Sequence, residues 1–252
     1  MKILLLNPNT SAAMTDQMSA AAAGALAPDA ELIAMTASRG LPYIASRAEA
    51  QLAGSAILEM LAEHHRGYDA AIIAAFGDPG LIAARELFDL PVVGMAEAAM
   101  LTACMLGQRF SIVTFSPTLL PWYEDAVVLA GLTARCAAVR SVQAAFRSVT
   151  EVQHELESEI VARVRRTIVE DGADVVVLAG APLTGLARRV HAEIPVPLVD
   201  PLAAALGQAQ ALVRLAPAPP RAGRFARPVA KAAAGLAPAL ARWIEHREDG
   251  QE

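Results

Sequence analysis

The stretch GYDAAIIAAFGDPGL, residues 67–81, has a partner 105 residues further on, GADVVVLAGAPLTGL, residues 172–186. Each opens on Gly and Asp, runs through a continuous apolar strand, and ends in a Pro-containing turn with a following Leu. LPVVGMAEAA (90–99) pairs with IPVPLVDPLA (194–203) at an offset of 104. KILLLNPNTS (2–11) pairs more loosely with RFSIVTFSPT (109–118). Three segments in one order at nearly one offset indicate a duplicated α/β unit of roughly one hundred residues, not a solenoid period.

Eight apolar runs fit this scheme: 2–6, 30–35, 69–75, 91–95, 109–115, 133–139, 173–179 and 196–200. Short continuous apolar strands separated by Ala/Leu-rich helical patterns predict parallel sheets covered on both faces. The expected fold is α/β, with two pseudo-symmetric lobes. Each is a short parallel sheet flanked by helices, and a cleft lies between them. The expected division is residues 1–98 plus 208–252 for the first lobe and 99–207 for the second. Residues 216–228, APAPPRAGRFARP, read as a linker. Residues 229–246 read as a terminal helix bent near Gly235 and Pro238. Its stripe of Leu236, Leu240 and Trp243 needs a surface to dock on, expected on the first lobe.

The 252 residues suffice for one large or two small cores. They are 55% hydrophobic and only 4% aromatic, which suits Ala-rich helices over buried strands. A net charge of −5 gives no basic stripe for nucleic acid. No run reaches the ~18 apolar residues of a membrane span, and the N-terminal apolar run is too short for a signal sequence. The two cysteines, Cys104 and Cys136, form no metal spacing and read as buried structural thiols. A cytoplasmic protein with reduced thiols is the expectation. Lys2 and Lys231 lie outside the turns, which argues against a Schiff base. The histidines at 64, 65, 154, 191 and 246 read as surface residues, so neither a metal site nor a His base is expected.

Ligands of parallel α/β sheets bind beyond the carboxyl ends of the strands. Four turns lie there. In NPNTSAAM (7–14), Asn9, Thr10 or Ser11 can cap the next helix or contact a ligand. In FGDPGLIAARE (76–86), Asp78 reads as an N-cap with Pro79 as the first helical residue. Ala75, Phe76 and Gly77 would line whatever binds there. TFSPTLLPWYED (114–125) offers Thr114, Ser116, Thr118 and Tyr123. In LAGAPLTGLARR (178–189), Gly180 and Ala181 permit close backbone approach, and Thr184 is a cap or a donor. Glu97 and Asp200 follow strands and read as caps or acids. The loop 38–50, with Tyr43, can arch over the cleft.

KILLLNPNTS, FGDPGLIAARE, GMAEAA, RFSIVT and RCAAVR together resemble the hydantoin and allantoin racemases of the aspartate/glutamate racemase superfamily, up to about residue 205. The resemblance implies two pseudo-symmetric lobes, a site between them, no cofactor and a small-molecule substrate. It also implies one Cys at the mouth of each equivalent turn, the two acting as opposed acid and base. Those positions are Ala75 and Gly180 here, so neither thiol is present.

The residues leave three readings open. One is an isomerase using other groups, with Asp78 and Tyr43 as catalytic candidates and Tyr123 or Glu97 behind them. Another is a cofactor-free hydrolase or C–C lyase; the superfamily's arylmalonate decarboxylases work with one Cys. The third is a catalytically silent binding protein. The expected binding positions are Asn9, Thr10, Ala75, Phe76, Gly77, Ser116, Tyr123, Gly180, Ala181 and Thr184, with backbone N–H groups of both Pro turns as an oxyanion-type site. Apolar stripes on the helices make a homo-oligomer a further expectation.

Overall fold

The computed structural model describes residues 1–216 and 218–247. Its first half alternates β1 (Lys2–Asn7), α1 (Ala12–Ala22), β2 (Glu31–Thr36), α2 (Arg47–His64), β3 (Ala70–Ile73), α3 (Leu81–Leu87), β4 (Val92–Gly94) and α4 (Met95–Leu106). The second half repeats the pattern with β5 (Phe110–Thr114), α5 (Leu120–Leu129), β6 (Cys136–Ser141), α6 (Val152–Asp171), β7 (Val175–Ala179), α7 (Leu186–Val190), β8 (Leu198–Val199) and α8 (Pro201–Leu215). The strands form two parallel sheets with the same winding, β2-β1-β3-β4 and β6-β5-β7-β8.

The apolar runs explain the layering. Along β1, Ile3 and Leu5 join the core under α1 and α8, while Leu4 and Leu6 join the core under α2 and α3. A strand buried on both faces needs apolar residues at every position, and each buried Leu or Ile contributes about 2 kcal/mol. The helix that follows the fourth strand of each sheet crosses to the other sheet. Thus α4 buries Ala96, Ala99, Met100 and Ala103 among β5 and β7 residues, and α8 buries Leu202, Ala205, Leu206 and Ala209 among β1 and β3 residues. This exchange braces the two sheets with the carboxyl ends of β3 and β7 at one cleft.

All eight expected strands are present, with shifted ends. The run 133–139 begins its strand only at Cys136, because Gly131 takes a left-handed turn and Arg135 N–H closes back on Leu132 O at 2.9 Å. The terminal helix is shorter than expected: α9 spans Pro238–Ile244 and not 229–246. Pro238 lacks an N–H, so it serves at the helix start and not inside, and Gly235 at φ 71 breaks the chain before it. The stripe docks on the first lobe. Leu240 is buried, Trp243 stacks on Phe88 at 5.3 Å, and its Nε1 donates to Leu87 O at 2.6 Å. Leu236 stays exposed. Under α9, His65 meets the Trp243 ring edge at 4.5 Å and is half-buried, unlike the surface residue expected. Among the described residues no helix is long and apolar enough to cross a membrane.

Candidate active site

The β1 turn is fixed by its own amides. The Asn7 side chain is fully buried, and its Nδ2 donates to Asn9 Oδ1 at 3.0 Å and Thr15 Oγ1 at 2.9 Å. Asn9 Oδ1 also accepts from Ser11 N–H at 2.9 Å, and Ser11 caps α1 through Met14 N–H. The oxygen of Asn9 is therefore committed, while its Nδ2 has no hydrogen-bond partner among the described residues. Of the three residues the sequence offers as caps here, Ser11 is the one that caps α1, and Asn9 lines the cleft.

The cleft encloses a cavity of about 30 Å³, room for one or two water molecules. Asn9, Tyr43, Ala75 and Phe76 border it from the first lobe; Tyr123, Gly180 and Ala181 border it from the second. Sequence reasoning named all seven. It missed Met14, Ile44, Ala74, Trp122 and Pro182, which complete the wall. Trp122 had a signal in its place beside Tyr123. A Cβ on Gly77, at φ 105, would collide with the Trp122 ring, so Gly77 lets that ring lie against the turn. Phe76 and Tyr123 meet at 4.7 Å across the cleft, and Tyr43 meets Phe115 at 6.1 Å.

Two phenols face this space. The Tyr43 hydroxyl is buried without a hydrogen-bond partner among the described residues, and burial, seconded by the charge of Glu49, raises its pKa well above the ordinary tyrosine value. Burial likewise holds Tyr123 well above its ordinary value, aided by nearby Tyr43 and opposed by Thr114. Both are therefore proton donors, not bases, at neutral pH. An unpaired buried donor costs about 1–3 kcal/mol, which an incoming acceptor would recover.

The other expected residues lie elsewhere. Asp78 does not cap its own helix; Gly80 does, at φ 80. The carboxylate instead crosses to the start of α4, where Oδ1 accepts from Ala96 N–H and Oδ2 from Glu97 N–H, each at 2.8 Å. Gly94 permits this approach, since a Cβ there would strike the Asp78 carboxyl. Burial pushes the Asp78 carboxyl up to about 7, against the pull of those two amides. Asp78 is absent from the cavity wall. Glu97 pairs with Arg85 at 2.5 Å on the far side. Asp200 caps α8 through Leu202 and Ala203 N–H and also accepts from Gly185 N–H at 2.5 Å. Ser116 pairs with Thr118 at 2.9 Å, Thr10 donates its N–H to Leu41 O, and the Thr184 hydroxyl is buried without a partner among the described residues. None of these three borders the cavity. Cys104 and Cys136 are half-buried and also off the cavity; burial pushes the Cys136 thiol up to about 11.

The loop before α2 lies over the cleft, placing Tyr43 and Ile44 on its wall. Arg47, at the start of α2, pairs with Asp125 of α5 and donates to Pro121 O at 3.0 Å. Gln17 of α1 donates to Pro182 O at 3.0 Å. These contacts tie the two lobes around the cavity.

Residues 3–209 match the Asp/Glu/Hydantoin racemase family. The chain is 35% identical over 233 residues to a hydantoin racemase of Paenarthrobacter aurescens, covering 92% of this chain and 99% of that protein. A solved allantoin racemase from Klebsiella pneumoniae superposes with a TM-score of 0.89 at 35% identity, over 95% of this chain and 98% of that one. An allantoin racemase from Pseudomonas fluorescens gives 0.87 at 32% identity, over 93% of this chain and 100% of that one.

Proposed function

Because the chain belongs to the Asp/Glu/hydantoin racemase family, we propose that it is a cofactor-independent isomerase of a small hydantoin-like cyclic amide or amino-acid-like acid, working without a pair of cysteines. The observation that carries this reading is the cavity itself. It lies between the two equivalent turns, holds two unionised phenols and an amide donor, and has neither thiol nor carboxylate on its wall.

Removing a proton next to a carbonyl moves charge onto the carbonyl oxygen. Donors already aimed at that oxygen lower the barrier more than any other single effect. Asn9 Nδ2 and the Tyr43 hydroxyl have no hydrogen-bond partner among the described residues and suit this role. The small side chain of Ala75 leaves space for water as the proton acceptor on the first face. With no side-chain base, the rate rises with pH as hydroxide replaces water.

The test is proton NMR of enantiopure 5-substituted hydantoins in heavy water. Enzyme-dependent loss of the C5 proton supports the reading. Ring-opened product would replace it with a hydrolase, release of carbon dioxide from a malonate-type acid with a lyase, and binding without turnover with a binding protein.

A further inference from the structure

Inversion at a stereocentre needs a proton source on the face opposite to the base. At the second turn no side chain can supply it. Gly180 sits at φ 117, and a Cβ there would stand 2.7 Å from Phe115 Cε1. The same position lies 3.6 Å from the Tyr123 hydroxyl oxygen. Of the residues bordering the cavity, only Tyr43 and Tyr123 carry an ionisable proton, and Tyr123 is the one beside Gly180. Its ring is 2% exposed and wedged between Phe76, at 4.7 Å, and Trp122, at 5.6 Å.

Building on the isomerase reading above, we propose that the Tyr123 hydroxyl, reaching in from α5, supplies the proton on the Gly180 face. Water at the Ala75 face takes the α-proton as the C–H bond breaks, and the electron pair moves onto the neighbouring carbonyl oxygen. The Tyr123 O–H bond then breaks as a new C–H bond forms on the opposite face. The phenolate regains a proton from a second water, so the hydronium and hydroxide released cancel. A phenol protonated at neutral pH still donates downhill to a carbanion more basic than itself.

The stereochemical fate of deuterium tests the assignment. With an enantiopure 5-substituted hydantoin in heavy water, wild type should place deuterium in the inverted enantiomer. Tyr123→Phe keeps the ring contacts, so its fold can be checked by melting temperature. In this variant the ratio of inversion to exchange should fall about a hundredfold or more, the usual worth of a positioned general acid. The residual label should appear in recovered substrate with retained configuration. An unchanged ratio overturns the assignment while leaving the isomerase reading standing. If wild type exchanges too slowly to measure, Ala75→Cys supplies a first-face base. Ala75→Cys should then invert, and Ala75→Cys/Tyr123→Phe should exchange with retention. Equal inversion by both overturns the assignment, and absence of exchange in all four proteins overturns the isomerase reading and the assignment together.

Discussion

Ala75 and Gly180 border one cavity from opposite lobes, yet only Ala75 has a backbone that accepts a larger side chain. The two turns are related by the duplication, but their chemistry has diverged. Ala75→Cys extends an existing Cβ and should leave the melting temperature nearly unchanged. Gly180→Cys combines a left-handed φ with a collision against Phe115 and should cost roughly 2–4 kcal/mol. Denaturant unfolding of the two variants reads the difference. Equal stability would mean the second turn can re-form around a side chain.

Arg47 and Asp125 tie the loop carrying Tyr43 to α5. Both side chains are exposed, so Arg47→Ala should leave global stability nearly unchanged. Its local effect should be larger. Tyr43 and Ile44 of this loop form part of the cavity wall, so releasing the strap should loosen that wall. Hydrogen–deuterium exchange of residues 38–46 should speed up in Arg47→Ala. Unchanged protection would show that the pair does not hold the loop.

Asp78 serves α4 as an N-cap supplied from another turn. Asp78→Ala should cost about 1–2 kcal/mol. The pH dependence has a definite sign. The native carboxyl is raised to about 7, so the folded state holds its proton more tightly than the unfolded chain does. This contribution is fully present below about pH 4 and is lost as pH rises through about 7. Asp78→Asn, uncharged throughout, should flatten that slope in unfolding curves taken from pH 4 to 8. An identical slope in both proteins would assign the dependence to other groups.

Trp243 anchors α9, which lies beyond the residues 3–209 that match the family. Trp243→Ala removes a stacked ring and a hydrogen bond to Leu87 O, so docking should weaken by about 3 kcal/mol. Limited proteolysis should then cleave within 218–247 while the two-sheet core survives. Resistance equal to wild type would mean that Leu240 and its neighbours suffice.

The sheets were legible because strands buried on both faces are written as unbroken apolar runs, and because the runs recur at one offset. The cleft was legible because strand ends locate one edge of each sheet. Which side of the edge each residue faces was not. Thr10, Ser116 and Thr184 all follow strands, but none of them borders the cavity. The reach of Asp78 to α4 depends on the missing Cβ of Gly94, sixteen residues away, which no local cap pattern encodes. The shortness of α9 was written in Gly235 and Pro238, which end a helix where the Ala-rich composition alone would continue it.

The most direct test of the account is the C5 proton signal of an enantiopure 5-substituted hydantoin in heavy water, followed with and without the protein. Enzyme-dependent loss of that signal, faster at higher pH, is expected from a protein with no thiol in its cleft. A signal that decays at the same rate in both tubes, across a panel of such rings and amino-acid-like acids, would contradict it.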